Sequence, residues 1–425
     1  MIRLIHIFHP VFVSVLLWPI QASAGEKITL EQAKQYAIKK NYHLEGLRNH
    51  RSALEAQSDL TGTKFLPKLG LVGGVNSYGE VAKEVGPVGY AYLNYNLFNG
   101  YRDQINSDLA KVEVEKADLV LSKEEFKIGL DVEEAFHTYV YFNDLIEMQN
   151  SALNMNSNHK SLVKKTKKAG LSSATDVMEF KLKDAILRSD LELVKQNLEE
   201  TRISLRKLLG EEVGSKVTPA GAIQHQHLNG TLMSYLDRIK SSSFPVKMAA
   251  LDLKGTNTKS EIWRSSWLPS IDLEVQAGQL PIEARDEKRE FNVNFLLTAN
   301  FELFSGFESR YEKRKQYSLL ARDESRLKDR ILYSISEMEK SFRRLKTIER
   351  RVDLEEHNVD RSKDYYEGVK KEYLRGYKNS ADLASAAERY IESKKRKIEF
   401  MYDFLMEKIK LERSLGAKVD VEIID

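Results

Sequence analysis

Leu97-Phe98-Asn99-Gly100 and Leu303-Phe304-Ser305-Gly306 are two copies of one phrase, 206 residues apart. The same interval of 206 separates Gly170, with Asp176-Val177 six residues on, from Gly376 with Asp382-Leu383; it also separates Leu209-Gly210 from Leu415-Gly416. Phe65-Leu66-Pro67 returns as Trp267-Leu268-Pro269 at 202, so the stretch from this proline to Leu-Phe-x-Gly is four residues longer in the second copy. Two units of about 200 residues are too few and too long for a solenoid array, and they describe a duplication. Residues 25–210 form the first repeat and 231–425 the second. The join at 211–230 carries Gly214, Pro219, Gly221 and Gly230 and reads as a linker.

Upstream of each Leu-Phe-x-Gly lies a strand hairpin, at 66–98 and 268–304. Phe291, Val293, Phe295, Leu297, Ala299, Phe301 and Leu303 form an apolar row at period two, and Ile271, Leu273, Val275 and Ala277 form another. Leu69, Leu71 and Val75, then Leu93, Tyr95 and Leu97, mark the weaker pair in the first repeat, with Pro87 and Pro281 between paired strands where turns belong. Strands of about ten residues with one apolar face suit a transmembrane barrel. Tyr78, Tyr90, Tyr92, Phe98 and Tyr101 could supply its interfacial belt. The same alternation fits a half-buried sheet in a soluble domain, so the strands alone leave lipid or protein open.

Downstream lie long helices. No proline falls between 88 and 218 or between 282 and 425, and proline costs about 3 kcal/mol inside a helix. The run from Gly100 to Lys168 predicts a helix on the order of 100 Å. Ile331, Met338, Leu345, Val352, Val359, Tyr366 and Tyr373 recur every seven residues, and Val132, Tyr139, Ile146 and Leu153 hold the matching places in the first repeat. Such a repeat imposes a left-handed supercoil. Leu187, Leu191, Val194, Leu198, Leu205 and Leu208 mark the return helix, interrupted at Thr201, and the tip turns fall at 170–176 and 376–382. Asp176 and Asp382 sit where helix N-caps belong. Lys164, Lys165, Lys167 and Lys168, with Lys370, Lys371 and Arg375, make both turns basic; the ordinary reading is a solvated face that complements the helix C-terminal dipole, and the sharper one is a docking patch.

Composition narrows the class. Of 425 residues 30% are charged, 66 basic against 63 acidic, and none is cysteine. Disulfides, thiol chemistry, cysteine-held zinc and a lipidated N-terminal cysteine are excluded, and the balance of charge argues against nucleic acid. Residues 1–24 read as a secretory signal peptide, with Arg3, the apolar Val11 to Ile20 and the small residues Ala22-Ser23-Ala24. His225-Gln226-His227 reads as an exposed loop before a metal site, and Gly73-Gly74 lacks a nucleotide-binding context. No cofactor, metal or catalytic constellation is expected. Two strands per repeat give four per chain, and an open sheet edge cannot stand in lipid. A membrane barrel therefore requires oligomers, eight strands from a dimer or twelve from a trimer, with the helices reaching away as a tube.

These features together resemble the TolC-like outer-membrane efflux proteins. The resemblance rests on the duplication, the Leu-Pro pairs, both Leu-Phe-x-Gly phrases, the Gly-x5-Asp turns and the opening Ile28-Thr29-Leu30-Glu31-Gln32-Ala33. Where the family carries Asn-Pro after its first helix, this chain has Asn41-Tyr42, and the second repeat keeps Phe244-Pro245. The resemblance implies a mainly α protein with a membrane β-barrel: a homotrimer with a twelve-stranded barrel among outer-membrane lipid and a periplasmic tunnel of coiled-coil hairpins. It implies a passive exit duct of a tripartite efflux or type I secretion system, served by a periplasmic adaptor and an inner-membrane pump. Gly170 and Gly376 correspond to adaptor-docking tips, and Asp176, Tyr373, Lys378 and Asp382 to a pore constriction. The rival readings are a secreted or periplasmic structural coiled-coil protein with a soluble β-sheet, and a periplasmic adaptor.

Overall fold

A computed structural model describes residues 27–78, 84–168, 172–211, 218–265, 267–279 and 291–424. The segment read as a signal peptide, Gly170, expected at a tip, and Pro281, expected in a turn, lie outside the described residues. In chain order the elements are β1 (Lys27–Ile28), α1 (Leu30–Lys40), α2 (Tyr42–Gly62), β2 (Lys68–Tyr78), β3 (Glu84–Asn99), α3 (Arg102–Lys168), α4 (Ala174–Leu208), β4 (Thr218–Pro219) and β5 (His225–Leu228). There follow α5 (Leu232–Ser242), α6 (Phe244–Ser260), α7 (Ile262–Ser265), β6 (Ser270–Gln279), β7 (Asn292–Asn300), α8 (Glu308–Leu374), α9 (Ser380–Leu415) and β8 (Val421–Ile424).

The two outward helices α3 and α8 have 67 residues each, so each is about 100 Å long. The return helices α4 and α9 have 35 and 36. In α8 the seven-residue seam is the buried line: Met338 and Leu345 are fully enclosed, and Val352, Tyr366 and Tyr373 are buried. In α3 the seam slips. Val132 is buried, but Tyr139, Ile146 and Leu153 are half-exposed, and Val140, Leu145, Ala152 and His159 are buried instead. Large aromatic and branched side chains at both registers make the sequence periodicity degenerate there. Thr201, which interrupts the apolar pattern of α4, stays in the buried stripe because its hydroxyl donates to the Asn197 carbonyl at 2.8 Å.

Asn41 replaces the expected Asn-Pro break without a proline. Its side chain accepts from the backbone N–H groups of His43 and Leu44 at 2.9 and 3.1 Å, which caps α2. Pro245 opens α6 behind Ser243. The stretch read as a linker contains strands: β4 pairs with β1 in parallel, and β5 pairs with β8 antiparallel. The join thus binds both ends of the described chain at one level. No described helix is long and apolar enough to cross a membrane.

Three apolar clusters lie along the axis. One joins Ala33, Ala37 and Leu44 to Ile128, Val132, Phe136, Leu205 and Leu405. Its counterpart joins Tyr235 and Ile239 to Met338, Leu345, Phe404 and Leu411. The third, at the far end, gathers Val163, Phe180, Tyr366, Tyr373 and Leu383.

Candidate channel wall and gate

The four long strands form one antiparallel sheet in the order β2-β3-β6-β7. Its register aligns side chains of one kind across all four strands. Leu69, Leu93, Val275 and Phe295 make one apolar row, and Leu71, Ala91, Ala277 and Val293 the next. The opposite face carries Gly70, Tyr92, Gln276 and Asn294, then Lys68, Asn94, Glu274 and Leu296, where Leu296 is the apolar exception. Asn96 donates to Asp272 at 2.6 Å across that face. Tyr90 and Tyr92, expected in a lipid-side belt, belong to this polar face. A Cβ at Gly70 would meet the Tyr92 ring at 2.4 Å, so the tyrosine lies over the glycine on the polar side. The apolar row of β7 also ends as strand at Asn300, short of Phe301 and Leu303.

Where sheet passes into helix, the duplicated phrase builds the same turn twice. Gly100 and Tyr101 have φ of 67° and 65°, and Gly306 and Phe307 have 63° and 67°. A left-handed conformation costs a non-glycine residue roughly 1–2 kcal/mol, so a consecutive pair in both copies is imposed by geometry. The turn stacks aromatics edge to face: Phe98 on Tyr101 at 5.2 Å and Phe304 on Phe307 at 5.4 Å, both at 89°. Tyr101, Phe304 and Phe307 are exposed, which is the disposition of an interfacial belt. The sequence displayed the glycines but gave no sign that the following aromatic shares their conformation.

At the far end the hairpins of both repeats meet. Ser173 and Asn379 are the N-caps, and Asp176 and Asp382 are their partners three residues on, each closing a capping box. The aspartates are therefore not the caps themselves. Asp176 accepts from the Ser173 N–H at 2.7 Å and from the Ser380 hydroxyl of the other repeat. The Ser380 bond and then the Ser173 bonds hold its carboxyl below the usual range. Asp382 accepts from the Asn379 N–H at 3.2 Å and is half-buried.

Tyr373 is buried, and its hydroxyl lies 3.0 Å from that of Thr166 and 3.3 Å from that of Ser172. Two turns back along both helices His159 meets the Tyr366 hydroxyl at 2.7 Å. Burial, then the Lys370 charge, pushes the imidazole down to about 4, and burial pushes Tyr366 up to about 12. Lys378 is exposed. Gly376, at φ 83°, ends α8 with the Tyr377 N–H on the Glu372 carbonyl and its own N–H on that of Tyr373, both at 3.0 Å, a Schellman turn. Asp176, Tyr373 and Asp382 thus fall within one end of the bundle. Lys164, Lys165, Lys167, Lys168, Lys371 and Arg375 are exposed around it, and Lys370 is half-buried.

Midway along the helices a charged brace, unforeseen from sequence, ties the repeats. Glu133 of α3, 2% exposed, receives Lys34 of α1, Lys408 of α9 and Lys418 of the C-terminal tail at 2.5, 3.4 and 2.6 Å. Burial opposes its ionisation, yet Lys408, Lys34 and Lys418 together prevail and hold the carboxyl at about 2.

A sheet apolar outside and polar inside, running through strained aromatic turns into paired helices of this length, defines a subunit of a barrel-and-tunnel channel. The sequence model of the outer membrane efflux protein family matches residues 33–211 and 235–417, one segment per repeat, and the chain belongs to that family. Its place is accordingly the outer membrane, with the helical tunnel in the periplasm. VceC, an outer membrane protein of Vibrio cholerae, shares the fold with a TM-score of 0.75 and 13% identity over 92% of this chain and 96% of that one. CusC does so with 0.78 and 14% over 91% and 92%. The open-state MtrE outer membrane channel of Neisseria gonorrhoeae does so with 0.75 and 13% over 91% and 89%. No curated protein sequence matches the chain.

Proposed function

We propose that three copies of the chain close a twelve-stranded barrel and form the passive exit duct of a tripartite efflux or type I secretion system. The supporting observation is the sheet: β2 and β7 are its edges, its apolar face is uncovered, and lipid admits no open edge. The helical end takes a periplasmic adaptor, which links the duct to an inner-membrane pump that supplies the energy. No catalytic step is assigned to the chain. The test is a pair of measurements on the purified protein, trimer mass by native mass spectrometry in detergent and unit conductance in planar bilayers. A monomer without conductance that carbonate washing removes from membranes would favour a structural coiled-coil protein instead.

In this reading the Asp382 carboxylates gather round the narrow end of the pore, with Asp176, Tyr373 and Lys378 beside them. A ring of like charges at a constriction selects counter-ions. Asp382→Ala is expected to lower the cation-over-anion permeability ratio several-fold and to relieve block by multivalent cations. Unaltered ion selectivity would remove Asp382 from the constriction.

Gly376, and by the repeat Gly170, present the tips to the adaptor. A Cβ at Gly376 would meet nothing within 4 Å, so a side chain there projects outward at the cost of a left-handed backbone. Gly376→Trp is expected to abolish export while trimers still reach the membrane. Undiminished export by that variant would place docking elsewhere.

A further inference from the structure

We propose that His225, His227 and Asp353 form a binding site for a divalent transition-metal ion, most suited to Zn²⁺, that fastens the join between the repeats to α8. His225 and His227 stand two apart on β5 and therefore share one face of the strand. That face lies against the middle of α8, which contributes Asp353. The imidazole Nε2 atoms are 3.2 Å apart, and the Asp353 Oδ1 lies 3.2 Å from the first and 3.1 Å from the second. Neighbouring ligand atoms of a tetrahedral zinc ion at its usual bond lengths are about 3.3 Å apart. The three atoms are thus one face of such a tetrahedron, with the fourth position left for water.

Protons alone do not satisfy this triangle. With both Nε2 atoms protonated, both donate to the carboxylate and the N···N edge sets two donors against each other. With one protonated, the other nitrogen turns a lone pair toward the carboxylate oxygen. With the Asp353 carboxyl ionised, every imidazole protonation state leaves one edge of like against like, whereas a cation at the centre engages all three lone pairs. The surroundings suit that arrangement. The Glu356 carboxylate stands 3.5 Å from Nδ1 of His225, and the Glu349 carboxylate 3.8 Å from Nδ1 of His227. Carboxylates at the outer nitrogen are the partners that turn Nε2 toward a metal. Each carboxylate is itself held, Glu356 by Lys397 at 2.6 Å and Glu349 by Lys346 at 3.0 Å. The His225 side chain is only 9% exposed while that of Asp353 is 42% exposed, so the site is rigid at the strand and open on the helix side. Nitrogen and carboxylate donors without sulfur favour Zn²⁺, Cu²⁺ and Ni²⁺ over alkaline-earth ions.

The loop expected around His225-Gln226-His227 is therefore a strand, and its pairing with β8 places the histidines in register. The experiment uses the full chain in detergent, without a polyhistidine tag and stripped with EDTA, titrated calorimetrically with Zn²⁺ and, separately, followed by visible absorption with Co²⁺. One Zn²⁺ per chain is expected, with the intense Co²⁺ bands of a tetrahedral site and a thermal midpoint that rises with free Zn²⁺. Losing an outer-shell partner costs about 10–100-fold in affinity, so Glu356→Gln should fall in that range and Asp353→Asn or the His225→Gln/His227→Gln pair beyond it. Absence of Zn²⁺ uptake by the wild-type chain overturns the proposal. So does uptake that Asp353→Asn and the double variant leave unchanged while circular dichroism shows them folded.

Discussion

Glu133→Ala is expected to lower the stability of the chain by about 3–5 kcal/mol, the usual consequence of removing one partner from a buried ionic group. Lys34, Lys408 and Lys418 converge on this carboxylate from α1, α9 and the tail. Its loss would leave them mutually repulsive, with only Lys418 retaining a second buried partner, Glu412 at 2.7 Å. Glu134→Ala, one residue on and exposed, removes only a 3.3 Å contact with Arg413 and is expected to cost less than about 1 kcal/mol. Thermal unfolding of the two variants beside wild type decides the matter; equal midpoints would show that the brace contributes nothing net.

The same residue fixes a pH signature. Its folded pKa of about 2 lies below the ordinary 4.5 of a glutamate, so its contribution is complete above about 4.5 and is lost as pH falls toward 2. His137 and His159, both pushed by burial from 6.5 to about 4, act over a higher window. Their unfolded forms take up protons first, so stability falls as pH drops from about 6.5 to 4. The thermal midpoint is expected to decline in two stages. His159→Gln should diminish the upper stage and Glu133→Gln the lower one, to which Asp323, likewise held at about 2 by Arg322, continues to contribute.

Phe295→Arg carries the second large effect. Phe295 is at the middle of β7, on the apolar face and 66% exposed. An arginine facing lipid near the bilayer midplane costs about 2–4 kcal/mol, and a trimer incurs that cost three times. Failure of the protein to accumulate in the outer membrane is the expected outcome, read by fractionation and immunoblotting. Asn294→Arg, the adjacent residue on the polar face, should assemble normally because in the proposed barrel its side chain would face the polar interior. Equal accumulation of the two variants would mean that the apolar rows do not face lipid.

The interval of 206 residues made the architecture legible, because a turn chemistry that recurs at fixed spacing leaves few folds available. Period-two rows located all four long strands, and the proline-free runs located both 67-residue helices. What stayed hidden depends on geometry that spacing does not encode. Tyr90 and Tyr92 are tyrosines in a strand, and only the register decides which side they face. In α3 aromatic and aliphatic residues occupy two adjacent seams, so periodicity alone chose the wrong one. Asp176 and Asp382 lie at the helix ends that the sequence marks but at N3 and not at the cap, since an aspartate can serve as an N-cap or close the box from three residues on. The brace around Glu133 joins residues from the beginning, middle and end of the chain. The histidine pair was visible as a motif, but its third member lies 126 positions away on another element.

The pairing of β3 with β6 also bears on the order of folding. Gly89 meets Gln279 and Asn99 meets Ser270, so the central seam of the sheet joins segments separated by most of a repeat. Closing a flexible loop of that length costs about 4–5 kcal/mol by its logarithmic term alone. The hairpins β2–β3 and β6–β7 close locally and escape it. If α3 and α4 zip first, the chain between the two hairpins ceases to be a flexible loop and returns the second hairpin close to the first. On that route the helices fold ahead of the barrel, and the sheet would reach the membrane on an already ordered stem.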